Sequence, residues 1–393
     1  MTSALRILAV AVLVRPALLG AQERLVGASS FMVAPSFTGW KFNRALPNDS
    51  FMVRKAWQFT VPTAMTIQAA GGRVTIDAGA AMAIGRVGLD DGRTLELSGL
   101  TDLRIRGVAR VIGDQLLLTV GLNAPVGATR LSGHQIDALG VLGAQALGFT
   151  TPTLGNGLGA TGGFVYALRA GGWGLAVGSS LEIRGQYTPL EAQIAEVRSP
   201  ADLRPGTAFR FSLGADRLMG RGRISLLLAG DLFGESRIMV AAPGGDPVES
   251  TYKLGPQLAG SAILELGVRG FRSFTLAITD RYRSRFTGFD GEKASGSSGN
   301  LVEGSLGFIT GQGGRAGLAV RVEGRFDSGL EVDNTITTAA MTSGGLTVGL
   351  FAPIGRATLQ PFVRAQIGRL DTGEDAATAT GFGGGIALTL RPW

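Results

Sequence analysis

The chain has 393 residues, 45% of them hydrophobic and 17% charged, with 62 glycines, one histidine and no cysteine. Without cysteine there are no disulfide frameworks, thiolate metal sites or thiol nucleophiles, and with His134 alone there is no histidine-based metal cluster, so most enzyme classes are disfavoured. The net charge is +7, and all but four of the 37 basic residues (Lys41, Lys55, Lys253 and Lys293) are arginine; these cations are spread along the chain among 30 acids, which argues against a nucleic-acid footprint gathered on one face.

Met1–Ala21 reads as a secretory signal. Arg6 gives a basic start, Ile7–Val14 an apolar core and Leu19-Gly20-Ala21 a small-residue end, predicting cleavage near Ala21 and a mature chain from Gln22. The apolar core is far shorter than the ~20 residues a spanning helix needs. The longest uncharged stretch, 138–168, is too rich in glycine, threonine and proline to span as a helix. A hydrophobic exported chain must hide its apolar surface in another way.

Phe31, Val33, Pro35 and Phe37 predict a first strand within Leu25–Phe42; the competing reading makes 22–55 a plug segment. From Ala56 onward the chain alternates with period two, which places each set of residues on one face of a strand. Trp57, Phe59, Val61, Met65 and Ile67 share a parity, followed by Val74, Ile76, Ala78, Ala80, Met82 and Ile84 after Gly71-Gly72. The same pattern returns at Leu103–Val111, Leu116–Leu122, Phe164–Leu168, Trp173–Ile183, Phe209–Leu213, Ile224–Leu232, Leu258–Val268, Phe274–Ile278, Val302–Phe308, Leu318–Phe326, Leu346–Leu350, Leu359–Ile367 and Phe382–Leu390. Short glycine-rich turns (70–72, 113–114, 170–172, 219–222, 269–272, 311–314, 352–355) alternate with longer polar connections (86–93, 124–156, 186–205, 234–254, 284–299, 328–340, 370–379). Short turns at one end and long loops at the other mark a transmembrane, antiparallel, up-and-down β-barrel. The expectation is an all-β fold with one barrel domain over 22–393 and sixteen strands, or fourteen around an N-terminal plug.

The apolar parity suits lipid. The other parity carries Arg104, Arg106, Arg110, Glu182, Arg184, Arg210, Asp231, Glu265, Arg269, Glu303, Arg321, Glu323, Arg325, Arg364 and Gln366, which makes these the candidates for the lumen lining. Three arginines of one strand facing lipid would cost roughly 2–4 kcal/mol each near the bilayer midplane, so the inward assignment wins. So many charges buried dry would also be costly, so water should reach most of them. Within 124–156, Ile136, Leu139, Val141, Leu142 and Leu147 suggest a short amphipathic helix, either folded inward as a constriction or capping the rim.

Other motifs are discounted. Gly157–Gly162 matches G-x-G-x-x-G without a βαβ unit. Asp90-Asp91-Gly92 is turn chemistry, and Phe289–Asn300 lacks the spaced acids of a calcium loop. A hydrolase through His134 and Asp137 has no nucleophile beside it. No cofactor, metal or nucleic acid is expected.

The signal, the alternating strands and a last strand ending at Trp393 resemble bacterial outer-membrane β-barrels, which commonly finish with an aromatic residue recognised by the barrel-assembly machinery. Leu117–Gly127 (LLTVGLNAPVG) and Leu147–Gly163 (LGFTTPTLGNGLGATGG) look like segments of the long-chain fatty acid and aromatic-hydrocarbon transporter barrels, which have fourteen strands and an N-terminal plug. The resemblance implies outer-membrane lipid and a small solute as partners, and passive passage of small polar or hydrophobic compounds as the function. A structural or surface-interaction barrel is the second reading and an outer-membrane hydrolase the third; the oligomeric state is open.

Overall fold

The computed structural model describes residues 29–48, 51–150, 155–194, 197–240, 246, 248–268, 273–310, 316–330, 335–373 and 375–391. Its wall begins with β1 (Ser30–Val33) and β2 (Ser36–Asn48), one strand interrupted at Ala34-Pro35, followed by β3 (Phe51–Ala69) and β4 (Val74–Leu89). β5 (Thr94–Leu100) and β6 (Leu103–Ile112) both pair with β4 and form a second composite strand, broken at Thr101-Asp102. β7 (Leu116–Ala124) leads through helix α1 (Gly133–Gly143) to β8 (Gly159–Ala170) and β9 (Trp173–Arg184). β10 (Tyr187–Ile194) and β11 (Val197–Arg204) precede β12 (Ala208–Met219) and β13 (Gly222–Phe233). β14 (Glu235–Val240) and β15 (Val248–Lys253) precede β16 (Gln257–Leu266) and β17 (Ser273–Arg283). β18 (Gly299–Ile309), β19 (Gly317–Asp327), β20 (Ala340–Ile354), β21 (Ala357–Asp371) and β22 (Ala376–Leu390) complete the wall.

Every wall strand pairs antiparallel with its neighbours, and β22 pairs back onto the first strand, Leu388 opposite Val33 and Gly385 opposite Ser36. The ring closes with sixteen strands, so no wall edge is left unpaired. Phe31 and Phe37 lie opposite Leu390 and Gly384, in the wall and not in the lumen, which sets aside the fourteen-strand reading with an N-terminal plug. The described turns at the short-turn end are tight. At Gly171-Gly172 both residues have positive φ (54° and 81°), as a two-residue hairpin matched to strand twist requires.

At the other end the structure corrects the loop assignments. The connections 186–205 and 234–254 contain β10, β11, β14 and β15, which form a separate four-stranded sheet in that order. This order repeats that of the wall strands β9, β12, β13 and β16 from which they emerge. Each strand therefore breaks at the rim and continues beyond it. The break packs backbone on backbone: a Cβ on Gly206 would stand 2.3 Å from the carbonyl oxygen of Gly234. The predicted connections 86–93 and 370–379 also shrink, because β4 runs to Leu89 and β21 to Asp371. Strands of 13–19 residues, such as β2, β3 and β4, exceed the roughly 9–11 that cross a bilayer and project past it.

The two faces of the wall differ as their parity predicts. On the outside, Val120, Ile183, Val363, Ile367 and Phe382 are each more than half exposed. A water-soluble protein rarely leaves so continuous an apolar surface uncovered. On the inside, Trp40, Phe42, Val53, Ala83, Val87, Leu97, Met341, Leu370 and Ala379 join Ala138, Val141, Leu142 and Leu147 in one buried cluster. The apolar core thus sits inside the barrel, between the helix-bearing segment and one arc of the wall.

Candidate functional site

Cross-strand register assigns the inner face residue by residue. Arg104 lies opposite Gly79 and Asn123, and Arg106 opposite Asp77 and Gly121. Asp77 accepts a 2.8 Å hydrogen bond from the Thr66 hydroxyl. Arg210 grips Asp231 through two bonds of 2.6 and 3.0 Å. Arg184 meets Glu182 at 2.7 Å on β9, and Arg110 reaches Asp114 at 3.4 Å. Arg281 and Arg325 flank Glu303 at 2.5 and 3.8 Å. Arg364 pairs with Glu323, which also accepts from Gln366 at 3.4 Å. Glu265 lies opposite Arg223, and Arg321 opposite Gly307 and Thr347.

All the described members of the expected lining set therefore share one face, the face on which the helix packs. Arg269 and Trp393 fall outside the described residues. Among the described residues, the ion pairs of this face run sideways along the wall, mostly between adjacent strands, and none of them crosses the lumen. Sequence reasoning missed several partners on this face: Asp77, Asp216 and Arg223. Asp216 accepts from Arg223 at 2.5 Å and from Ser225 at 3.1 Å. Their signal was available, since each stands on the polar parity of its strand.

The helix of 124–156 folds inward. Ser132 and Gln135 form a capping box, the Ser132 N–H donating to the Gln135 side chain at 2.9 Å. Ala138, Val141 and Leu142 face the wall and are buried. Leu142 seats where a side chain is missing, its Cδ1 only 2.3 Å from where a Cβ on Gly85 would stand. Trp40 Nε1 donates to the Leu147 carbonyl at 2.9 Å, and Arg325 donates to the Gln145 carbonyl.

A third tie, not foreseen from sequence, is Asp102 at the β5–β6 break. Its carboxylate accepts from Asn123 Nδ2 at 2.8 Å, the Gly127 N–H at 3.1 Å and the Asn156 N–H at 2.6 Å. One buried acid therefore holds both ends of the helix-bearing connection. His134 is exposed in the first turn of α1. Among the described residues, no cluster of three metal-ligating side chains occurs.

No protein-family model and no curated protein matches the chain. Among solved structures, the monoaromatic hydrocarbon channel TodX, in a deltaS2 mutant form, is 7% identical over 93% of this chain and 90% of its own, with a TM-score of 0.43. The monoaromatic hydrocarbon channel CymD is 10% identical over 95% of this chain and 93% of its own, with a TM-score of 0.40. An Rh. blastica porin mutant is 12% identical over 92% of this chain and 100% of its own, with a TM-score of 0.36. The closed antiparallel wall, with its apolar outer face, has the fold of an outer-membrane β-barrel.

Proposed function

We propose that the protein is an outer-membrane channel for passive diffusion of small polar solutes, with a preference for anions. The observation that carries this reading is solvent at the charged part of the inner wall. The side chains of Glu182, Arg210 and Arg281 are 39%, 41% and 37% exposed, whereas Phe42, Val87 and Leu370 in the buried cluster are at 1%, 0% and 0%. In this reading α1 narrows the lumen from one side and leaves the arginine-bearing side to water. Nearer the short turns, β2 and β22 present only small inner residues: Ser36, Thr38, Gly383 and Gly385. Among the described residues, arginines outnumber carboxylates on the inner face, and a surplus of fixed positive charge favours anions. Export through the Met1–Ala21 signal and assembly guided by Trp393 belong to the same proposal.

The test is conductance of the purified protein in a planar bilayer under a potassium chloride gradient. Discrete steps with a reversal potential displaced toward that of chloride are expected; a membrane that stays silent at every voltage refutes an open channel. The sheet β10-β11-β14-β15 beyond the rim favours a second reading, in which that surface binds a partner. Its two outer strands are already engaged, Pro189 accepting from the Leu131 N–H at 3.0 Å and Lys253 bonding to Thr287. A partner would therefore meet the faces of the sheet. Loss of cell-surface binding with unchanged conductance, on replacing 241–247 by a short glycine linker, separates the two readings.

A further inference from the structure

On the outer face, near the long-loop end, a group of cations has no salt-bridge partner among the described residues. Lys41 on β2 lies directly opposite Lys55 on β3, and Thr380 on β22 lies opposite Lys41 on its other side. One strand further along the ring, Arg369 lies opposite Thr378, whose N–H donates to the Asn43 side chain at 2.9 Å. Lys41, Lys55, Arg369, Asn43, Thr378 and Thr380 are all exposed. Neighbouring cations at this rim are neutralised: Arg54 by Asp90 at 2.6 Å, Arg86 by Glu96 at 2.8 Å, Arg93 by Asp91 at 2.6 Å and Arg44 by Asp375. Among the described residues, Lys41, Lys55 and Arg369 have no such partner. Like charges directly opposite on an antiparallel pair repel each other, so this arrangement calls for an anion.

Their height in the membrane follows from the wall. The outward residues of β3 are apolar or small from Ile67 to Trp57, and the next outward residue is Lys55. Ten steps of about 3.3 Å, on a strand tilted about 40°, rise roughly 25 Å, the height of the apolar band of such barrels. β4 changes likewise from Ile84 to Arg86, β21 from Ile367 to Arg369 and β22 from Phe382 to Thr380. Just below the cations, Phe37 and Trp57 pack with ring centroids 5.7 Å apart, as in an interfacial aromatic girdle. The Lys55 stem lies flat over Gly88, where a Cβ would come within 2.6 Å of its Cε. This keeps the ammonium close to the wall. The unpaired cations therefore stand at the headgroup level of the leaflet on the long-loop side, which in outer-membrane barrels faces the cell exterior.

We propose that Lys41, Lys55 and Arg369 form a binding site for a lipid of the outer leaflet whose headgroup carries exposed phosphate monoesters. Such a headgroup brings two or more negative charges to the height where the three cations stand. Thr378, Thr380 and Asn43 add neutral polar groups between them. The lipid's acyl chains lie along the apolar strip below, over Phe37, Trp57 and Phe382.

The test is native mass spectrometry of the full barrel offered lipid A and phosphatidylcholine in equal amounts, with inorganic phosphate as competitor. Wild-type protein is expected to retain lipid A in preference to phosphatidylcholine and to keep it in the presence of phosphate. The triple variant Lys41→Gln, Lys55→Gln, Arg369→Gln is expected to lose that preference, by roughly fivefold per cation and on the order of a hundredfold in all. Heat-modifiable gel mobility confirms that each variant is folded. Single K41Q and K55Q variants provide graded losses in case the triple variant does not assemble. Arg217→Gln, beside Trp173 near the short turns, is expected to change nothing. Equal retention of lipid A by wild type and triple variant, equal retention of both lipids by wild type, or displacement of lipid A by inorganic phosphate would each overturn the proposal.

Discussion

Replacing Asp102 by asparagine isolates the tie that holds the helix-bearing segment in the lumen. One carboxylate oxygen of Asp102 accepts from Asn123 and from the Asn156 N–H, at 2.8 and 2.6 Å, and the other accepts from the Gly127 N–H at 3.1 Å. Asparagine has one acceptor oxygen, and its amide nitrogen would face another donor. With the oxygen turned to the doubly bonded side, the bond to Gly127 is lost and two charge-assisted bonds become neutral ones. Taking values toward the lower end of about 1.5–3 kcal/mol for a charged bond, and about 1 kcal/mol for a neutral one, the loss is about 3 kcal/mol. That corresponds to roughly a hundredfold increase in the population with the segment undocked.

A thiol reads this population directly, because the native chain has no cysteine. Ala138 is 0% exposed beneath α1, so a cysteine there reacts only when the helix lifts from the wall. The Ala138→Cys variant should be protected from a water-soluble thiol reagent. Adding Asp102→Asn should accelerate its modification by about a hundredfold while the barrel itself melts as before. An acceleration below about threefold would mean that apolar packing holds the segment and that Asp102 contributes nothing.

Further outcomes follow from the same geometry. Single cysteines at Arg104 and Arg106 should react with small water-soluble thiol reagents while one at Ile105 should not, and the opposite pattern would exchange the two faces of the wall. In the Ala138→Cys background, Gly85→Ala should unseat Leu142 and speed modification of the thiol, and adding Leu142→Ala should reverse much of that effect; additive changes would deny the contact. Trp40→Phe leaves the Leu147 carbonyl without its buried donor at a cost of about 1–3 kcal/mol, read as a roughly tenfold faster reaction of the same thiol. The double variant Arg104→Gln, Arg106→Gln should move the reversal potential toward that of potassium, and an unchanged value would remove these arginines from the ion path.

The alternation of side chains determines strand existence and face wherever the outer half of the pattern meets lipid. From Ala56 to Leu390 it placed fifteen wall strands, and Phe31, Val33 and Phe37 supplied the sixteenth, because period two is a local property of each segment. The same logic put Arg104, Arg210, Glu303 and Arg364 on one face before any pairing was known. Beyond the bilayer the contrast between faces weakens. The polar runs of β10, β11, β14 and β15 accordingly read as loops, although their backbones pair as a sheet.

The destination of α1 was not legible at all. Ile136, Leu139, Val141 and Leu142 show an apolar side, but whether that side meets a rim or a lumen depends on Trp40, Gly85, Leu97, Met341 and Leu370. These residues come together only after the ring has closed. Asp102 looked like an ordinary polar residue at a gap in the alternation, and its role depends on Gly127 and Asn156, which reach it only through the inward fold of the connection. Local periodicity wrote the wall, whereas contacts between residues tens to hundreds of positions apart decided what stands inside it.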